Sequence, residues 1–296
     1  MASNLKVGWV GLGKMGIPMS TNLIKGGYEL TVYNRTKSKT KELADQGAKV
    51  VDSPKEAAEQ ADIVVTMIAD DAALEAVLAG QDGILEGLEK GKIVVDMSTV
   101  SPEASSDANK EIETKGGKFL RAPVTGSTAL AEAGTLGILC SGEKDVYDKA
   151  LPLFEVMGKN QFYMGKAEEA RYMKLVLNMM IGVSCQMLAE SLVFGEKAGL
   201  DWAQMLEIIA GSAVGSPLFN YKKAPLTERK FDAVFTSDMM AKDFDLVAAI
   251  AKKENMCLPV TALTRQFLAS VSAKGLGDKD FSALILIMEE LCNVNN

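Results

Sequence analysis

The sequence predicts an α/β domain built on a doubly wound parallel sheet, followed by an all-helical domain. Short β-branched runs alternate with helical patterns through the first half, which is typical of a parallel sheet wound with helices. Strand signals end near residue 167 and long apolar periodic segments follow. A chain of 296 residues favours two domains, expected at 1–165 and 166–296 and joined by a long helix that starts near Ala167.

The first half contains eight candidate strands. Each is a short apolar run bounded by turn residues. They are Leu5–Val10, Glu29–Tyr33, Ala48–Val51, Ile63–Ile68, Lys92–Asp96, Lys118–Arg121, Thr135–Cys140 and Gln161–Met164. The helical patterns between the early strands are Met15–Lys25, Lys37–Gln46 and Ala72–Leu78.

The second half shows helical periodicity interrupted at glycine and proline. The expected helices are 167–197, 202–210, 238–254, 259–273 and 280–292, with breaks at Gly199, Gly211–Pro217 and Gly275–Gly277. Lys174, Asn178 and Glu190 interrupt the most apolar stretch, so it is expected to be a buried helix rather than a membrane span.

Composition restricts the chemistry. The net charge of −7 disfavours nucleic acid or an anionic membrane as partner, since both need a dense cationic face. The four cysteines show no metal or C-x-x-C spacing and are expected to be buried apolar residues in a reducing compartment. The start MASNLK lacks the apolar region of a secretion signal, so a cytoplasmic protein is expected. The absence of histidine excludes histidine-based catalysis and histidine-ligated metals, and no metal site is expected.

A glycine-rich turn follows the first strand. Gly11, Gly13 and Gly16 form G-x-G-x-x-G directly after an apolar strand and before a helix. In a Rossmann unit the first glycine makes the tight turn, the second lets the pyrophosphate approach, and the third packs helix on strand. The motif predicts a bound dinucleotide, the alternative being a glycine-rich turn without ligand. The other loop positions, Leu12, Lys14 and Met15, are candidate cofactor contacts.

The end of the second strand predicts which dinucleotide binds. Asn34, Arg35 and Thr36 stand where an NAD site carries an acid for the ribose 2′-hydroxyl. A guanidinium would bind the 2′-phosphate of NADP(H) instead. The alternative is that Arg35 is a solvated residue that stacks on the adenine. Ile68 and Ala69, at the end of the fourth strand, are further candidate cofactor contacts.

A lysine and an asparagine share one face of the first long helix. Lys174 and Asn178 are spaced i, i+4 among Leu, Val and Met. Burial would lower the pKa of such a lysine, which makes it the leading acid/base candidate in a chain without histidine. The alternative is a lysine that extends to solvent at a domain edge.

Two further segments bear on a substrate. Thr125–Thr128 offers hydroxyls and N–H groups that could bind a carboxylate, or it is an ordinary polar loop. Asp243 either orients active-site side chains or pairs with a lysine at the surface. Arg121 either meets a second anionic group of the substrate or is a solvated strand-end residue.

Several ordered motifs together resemble the β-hydroxyacid dehydrogenase family, which includes 3-hydroxyisobutyrate dehydrogenases and glyoxylate/succinic-semialdehyde reductases. The resemblance covers essentially the whole chain. Its motifs are G-L-G-K-M-G-I-P-M at 11–19, D-M-S-T-V at 96–100, A-P-V-T-G-S at 122–127, A-G-T-L at 133–136, M-K-L-V-L-N-M at 173–179, A-K-D at 241–243 and G-L-G-D-K-D-F-S at 275–282.

The resemblance implies roles position by position. Lys174 matches the catalytic lysine and Asn178 the asparagine that orients the substrate. Thr125 matches a serine that binds the substrate carboxylate together with the N–H groups of Gly126 and Ser127. The resemblance also implies that Thr99 and Lys242 lie near the nicotinamide. Phe235 and Asp243 match active-site residues of the glyoxylate/succinic-semialdehyde branch, which is the nearest relative that the motifs suggest.

The chain departs from the family pattern near the catalytic lysine. The two glycines that precede the lysine in the family are Glu168 and Ala170 here. Arg121 replaces an acid or glycine before A-P-V, and Ser127 replaces a glycine. These changes bear on the substrate and on the turn into the long helix.

The sequence therefore predicts an NADPH-dependent oxidoreductase that interconverts a small aldehyde-acid and its hydroxyacid, with a small carboxylate-bearing substrate. The alternatives are a β-hydroxyacid dehydrogenase of different substrate, an imine-reductase-like enzyme, and a non-catalytic NADP-binding scaffold. A 6-phosphogluconate-dehydrogenase-like decarboxylase is disfavoured, because its helical domain is much longer and its site uses histidine. A homodimer or homotetramer through the helical domain is expected.

Overall fold

The structure, a computed structural model, describes residues 5–294. The expectation that the first residues carry no secretion signal therefore rests largely on residues outside the described range. The nine strands are β1 Lys6–Val10, β2 Glu29–Tyr33, β3 Lys49–Val50, β4 Ile63–Thr66, β5 Ile93–Asp96, β6 Lys118–Arg121, β7 Val124–Thr125, β8 Leu136–Gly142 and β9 Gly158–Tyr163 within that range.

The strands form one sheet in the order β3-β2-β1-β4-β5-β6-β8-β7, with β9 paired to β8. The strands from β3 to β6 in this order are all parallel, as the sequence predicts. The far edge differs from the prediction, because β8 runs antiparallel to β6 and β7. The two-residue strand β7 gave no sequence signal, since it is too short for a period-2 pattern.

Both faces of the sheet are buried, which makes it doubly wound. Along β4, Ile63 and Val65 join one apolar cluster and Val64 joins the other. Along β5, Ile93 and Val95 are separated from Val94 in the same way. Because successive side chains of a strand point to opposite faces, helices must cover both sides of the sheet here, and β4 and β5 are apolar up to their last residues, Thr66 and Asp96.

Fourteen α-helices lie within residues 5–294. They are α1 Gly16–Lys25, α2 Lys41–Ala44, α3 Pro54–Glu59, α4 Asp71–Ala79, α5 Ile84–Gly87, α6 Pro102–Thr114, α7 Thr128–Glu132, α8 Lys144–Met157, α9 Glu169–Lys197, α10 Trp202–Gly211, α11 Pro217–Thr227, α12 Ser237–Lys253, α13 Pro259–Ala273 and α14 Leu284–Leu291.

Two of the predicted α-helices begin with a 3₁₀ turn instead of an α-helical turn. The segment predicted at 37–46 starts as a 3₁₀ turn at Lys37–Thr40, and the one predicted at 280–292 starts as a 3₁₀ turn at Phe281–Ala283. Helix α11 follows the predicted break at Gly211–Pro217 and was missed. Its Pro225 lies inside the helix, where proline usually signals a break.

The chain divides into two compact units, residues 1–174 and 175–296. The division falls inside α9, whereas the sequence places it at 165/166. The first turn of α9 belongs to the sheet unit because Arg171 forms a salt bridge there with Asp96, and the Ala170 N–H donates to the Ser141 hydroxyl. The later turns supply Leu188 and Leu192 to the core of the helical unit.

Helix α9 is long and apolar enough to cross a membrane by length and composition alone. The core helix of a soluble protein meets the same criterion. Its side chains Arg171, Leu188 and Leu192 are less than 5% exposed, whereas Met180 and Phe194 are 60% and 78% exposed, so only part of the helix surface packs against the rest of the protein.

The cysteines do not share one environment. Cys140 and Cys185 are buried as expected, and burial raises the pKa of each thiol to about 12. Cys257 is exposed, which makes the expectation of a buried residue wrong there. It lies in the connection between α12 and α13, where the chain runs over the surface. Among residues 5–294 no cluster of potential metal ligands occurs.

Candidate active site

The loop after β1 has the geometry of a dinucleotide turn. Gly11 has a φ of +104°, and a Cβ there would lie 2.3 Å from the Met67 carbonyl oxygen. A Cβ on Gly16 would lie 2.1 Å from the Gly11 carbonyl oxygen. Among the described residues no atom lies within 4 Å of a Cβ built on Gly13. Gly11 and Gly16 are thus required by close packing, while Gly13 leaves open space for a phosphate.

The start of α1 also fits a phosphate. Among residues 5–294 no side chain caps the first turn and no acid lies in it. The N–H groups and the positive dipole end of the helix therefore suit an anion. Lys14 is exposed beside them, while Met15 lies partly buried against the core.

Asn34 ties the end of β2 to this loop. Its Oδ1 accepts a hydrogen bond from the Leu12 N–H at 2.9 Å, and its Nδ2 donates to the Thr36 carbonyl at 2.9 Å. The Leu12 side chain is buried in the core, so only its backbone can approach a ligand. Arg35 and Thr36 are exposed. Asp52, an acid just beyond β3, forms a salt bridge with Lys37.

The loops after β4 and β5 lie at the same edge of the sheet as the loops after β1 and β2, where the parallel strands have their carboxyl ends. In this strand order the topological switch point lies between β1 and β4, and ligands of such sheets bind outside the carboxyl ends of the strands there. The Ile68 N–H donates to the Ser98 hydroxyl at 2.9 Å, which joins the two loops. Ile68 and Thr99 are half-buried and Ala69 is exposed. The structure thus brings the predicted cofactor residues of the sheet unit to one edge.

The segment Thr125–Ser127 links β7 to α7. A Cβ on Gly137, opposite Thr125 in β8, would lie 2.7 Å from the Thr125 methyl group. Gly126 has a φ of +138°, a conformation that suits glycine. The Ser127 hydroxyl accepts from the Leu130 N–H and caps α7. The methyl of Thr125 therefore occupies the space that a side chain at position 137 would need.

Lys174 and Asn178 lie one turn apart on α9. Asn178 is 3% exposed, and its Nδ2 donates a short hydrogen bond to Oδ2 of Asp243 on α12. Because a carboxylate only accepts, this contact fixes which end of the amide faces Asp243. Lys242 Nζ lies 2.9 Å from the other carboxylate oxygen. Asp243 is buried and orients Asn178, so the alternative of a surface pair is wrong.

Phe235 lies in the segment before α12 and packs edge-on against Phe281, with the ring centroids 6.3 Å apart. The Phe281 N–H donates to the Phe235 carbonyl. Lys222 and Asp280, both 4% exposed, form a salt bridge beneath this segment, and Asp280 also accepts from the Val234 N–H. The backbone around Phe235 is therefore fixed by the core of the helical unit.

Two of the departures from the family pattern form a pair that the sequence did not reveal. Arg121 Nη2 lies 2.6 Å from Glu168 Oε1, and the two side chains are 6% and 14% exposed. Arg121 is thus buried, and the expectation of a solvated strand-end residue is wrong. Its guanidinium is engaged by Glu168, and the contact with a second substrate anion stays a prediction. The positions are 47 residues apart in sequence, so only their co-occurrence as opposite charges could have signalled the contact.

A second buried pair was also missed. Arg171 and Asp96 are 1% and 0% exposed, and their atoms Nη2 and Oδ2 lie 2.5 Å apart. The sequence places Asp96 in the D-M-S-T-V motif, and it gives no signal of a role for Arg171.

Two family models match the chain. Residues 6–165 match the NAD-binding domain of 6-phosphogluconate dehydrogenase, and residues 169–288 match the NAD-binding model of NADP-dependent 3-hydroxyisobutyrate dehydrogenase. Glyoxylate/succinic semialdehyde reductase 1 of Arabidopsis thaliana is 37% identical over 95% of this chain and 97% of its own. The chain belongs to the 3-hydroxyisobutyrate dehydrogenase family.

Further relatives support the assignment of the chain to this family. Mitochondrial 3-hydroxyisobutyrate dehydrogenase of Mus musculus is 33% identical over 98% of this chain and 89% of its own. The crystal structure of 3-hydroxyisobutyrate dehydrogenase from Salmonella typhimurium superposes with a TM-score of 0.88 at 24% identity, covering 96% of this chain and 99% of that one, and so has the same fold. This hydroxyacid dehydrogenase is therefore a nicotinamide-dependent oxidoreductase, as the motifs predict.

Proposed function

We propose that the protein uses NADPH to reduce a small aldehyde-acid of the semialdehyde or glyoxylate type to the hydroxyacid, with Lys174 as general acid. The observation that carries the proposal is the position of Lys174 one helical turn before Asn178, whose amide is oriented by the buried Asp243. The 37% identity to a glyoxylate/succinic semialdehyde reductase supports this substrate class.

The preference for NADPH rests on charge at the end of β2. Arg35 is exposed there, and the acid Asp52 forms an exposed salt bridge with Lys37 at 2.5 Å. A 2′-phosphate would thus meet a guanidinium fork without a competing carboxylate. Asn34 supports the site indirectly, since its side-chain oxygen positions the loop through the Leu12 N–H.

The reaction needs a proton for the oxygen of the substrate carbonyl. A nicotinamide cofactor held by the glycine loop and Arg35 would supply the hydride for the carbonyl carbon. Lys174 Nζ then gives a proton to the oxygen, which yields the hydroxyl, and in the oxidative direction the neutral amine takes the proton back. Asn178 holds the substrate with an amide whose orientation Asp243 and Lys242 have fixed in advance, which reduces the reorganisation needed.

The substrate carboxylate is assigned to Thr125 and the N–H groups of Gly126 and Ser127. The Thr125 methyl lies beside Gly137, which leaves room for it. A charge-assisted hydrogen bond from the hydroxyl binds a carboxylate in both ground and transition states.

Replacing Thr125 by alanine is expected to raise the KM for the aldehyde-acid by roughly 10-fold or more, since a hydrogen bond to a charged group contributes about 1.5–3 kcal/mol, and to leave kcat nearly unchanged. Steady-state kinetics measure both. Thr125→Ser keeps the hydroxyl and serves as the matched control. A normal KM in Thr125→Ala, or a loss confined to kcat, would contradict this role.

The substrate class is tested with a spectrophotometric panel of glyoxylate, succinic semialdehyde and methylmalonate semialdehyde, each with NADPH and NADH. Butanal is the matched control, because it has the four-carbon chain of succinic semialdehyde without the carboxylate. We expect turnover of at least one aldehyde-acid with NADPH and a much lower kcat/KM for butanal. Turnover of a cyclic imine with none of the aldehyde-acids would favour the imine-reductase-like alternative.

We also propose that the protein self-associates through its helical unit. Apolar side chains are strongly exposed there, among them Phe194 at 78%, Leu291 at 62% and Ile208 at 61%. Exposed apolar surface of this kind commonly marks an interface. Light scattering at micromolar concentration should give the mass of a dimer or tetramer, and a monomer mass would refute the proposal.

A further inference from the structure

The first turn of α9 is anchored to the sheet by one arginine. Arg171 uses three of its nitrogens on three different partners. Nη2 donates to Asp96 Oδ2 at 2.5 Å, Nη1 to the Ser98 carbonyl at 2.7 Å, and Nε to the Ser105 hydroxyl at 3.1 Å. The planar guanidinium fork therefore fixes the helix in both direction and rotation.

Asp96 extends the network to two neighbouring strand ends. Its Oδ1 accepts from the hydroxyls of Thr66 and Ser98, each at 2.6 Å. Thr66 ends β4 and Asp96 ends β5, and the two residues are paired in the sheet. Each carboxylate oxygen thus has partners, which a buried charge requires.

The network touches the two loops, after β4 and after β5, that carry the predicted cofactor contacts Ile68 and Thr99. The Ser98 carbonyl that Arg171 binds belongs to the peptide bond whose N–H is that of Thr99. The Ser98 hydroxyl also accepts from the Ile68 N–H. A single set of hydrogen bonds therefore holds the loops after β4 and β5 and the start of α9.

Lys174 lies three residues after Arg171 on α9. At this spacing the two residues share one side of the helix, separated by a rise of about 4.5 Å. A shift of the Arg171 anchor therefore moves Lys174 with it.

We propose that Arg171 is a positioning residue that, through Asp96 and Ser98, sets the place of Lys174 relative to the cofactor loops. The inference rests on the proposed role of Lys174 as proton donor. A buried ion pair adds little net stability, because apolar residues of similar volume often stabilise a fold equally well. The hydrogen bonds to the Ser98 carbonyl and Ser105 hydroxyl supply a defined geometry that an apolar contact would lack.

Three variants separate geometry from stability. Arg171→Lys keeps the charge beside Asp96, but an ammonium group lacks the rigid fork that reaches all three acceptors. Arg171→Met combined with Asp96→Asn removes both charges together. Ser105→Ala removes one acceptor and leaves the salt bridge, which keeps the inference testable if either larger change prevents folding.

The expected result is a loss in kcat without an equal loss in cofactor affinity. Arg171→Lys should lower kcat by roughly 10- to 100-fold, since small misplacements of reacting groups have effects of this size, and Ser105→Ala should lower it less. Fluorescence titration should show that the NADPH Kd changes less than kcat does, because the glycine loop and Arg35 are untouched although the loops after β4 and β5 lose part of their support. The control Arg229→Gln with Glu289→Gln removes another partly buried salt bridge, and should lower Tm and leave kcat unchanged.

A double-mutant cycle with Lys174→Ala completes the test. If Arg171 acts through Lys174, Arg171→Lys should have little further effect on kcat in the Lys174→Ala background. If Lys174→Ala lowers kcat but all three Arg171-network variants keep a normal kcat per folded molecule, with only Tm reduced, the positioning role is refuted and the proposed function stands. If Lys174→Ala itself keeps full activity, the proposed function fails, and the positioning inference fails with it.

Discussion

Replacing Lys174 by alanine is expected to lower kcat for the best aldehyde-acid by at least about 10²-fold, since general acid catalysis is typically worth 10²–10⁴-fold. The NADPH Kd should change little, because the cofactor residues at the glycine loop and at the end of β2 remain. Single-turnover measurements of NADPH oxidation, together with a fluorescence titration of NADPH, give the two quantities.

The control for this change is Lys197→Ala. Lys197 lies in the last turn of the same helix, is exposed, and donates to the Asn293 carbonyl. Its replacement removes the same charge from α9 and should leave kcat unaltered. Full activity of Lys174→Ala would show that another group donates the proton. Tyr172 would then be tested first, because Glu168 and Asp243 are already engaged by Arg121 and Lys242.

Replacing Arg35 by aspartate is expected to reverse the cofactor preference. The change removes an attractive charge and places a repulsive one where the 2′-phosphate would lie, and an aspartate at this strand end suits the ribose 2′-hydroxyl of NADH. The ratio of kcat/KM for NADPH to that for NADH should fall by about 10²-fold or more, given that the loss of one charge-assisted hydrogen bond alone contributes about 1.5–3 kcal/mol. Initial rates with both cofactors at low ionic strength measure it.

Lys110→Asp is the matched control for Arg35→Asp. Lys110 is an exposed residue of α6 that pairs with Asp107, and its replacement changes the net charge by the same amount. The cofactor ratio should then stay as in the unmodified protein. Equal kcat/KM for NADPH and NADH in the unmodified protein would contradict the assignment of Arg35.

Local patterns in the sequence were sufficient to predict the sheet and the cofactor loop. The predicted strands Glu29–Tyr33 and Lys118–Arg121 match β2 and β6 as observed, and their apolar residues Leu30, Val32, Phe119 and Leu120 are buried. Gly11 and Gly16 were predicted from spacing alone, and the structure supplies the reason in the 2.3 Å and 2.1 Å approaches that a Cβ would make.

Contacts between residues far apart in the chain could not be predicted from the sequence. The antiparallel placement of β8 depends on which strands meet at the sheet edge, and no local periodicity encodes that. Asp243 was left undecided between two roles because a carboxylate next to a lysine has the same sequence signature at the surface and in the interior. Its 1% exposure and its contact with Asn178 decide the matter.

Patterns among neighbouring residues were enough to predict the two-part fold, the dinucleotide loop, the family, and the interest of Lys174 and Asn178. The contacts of the residues just before Lys174 became known from the folded structure alone. Glu168 pairs with Arg121, and Arg171 pairs with Asp96 across 75 residues of sequence. Buried charges are tolerated only when the fold brings opposite charges and hydrogen-bond partners together, and that proximity exists only once the chain has folded.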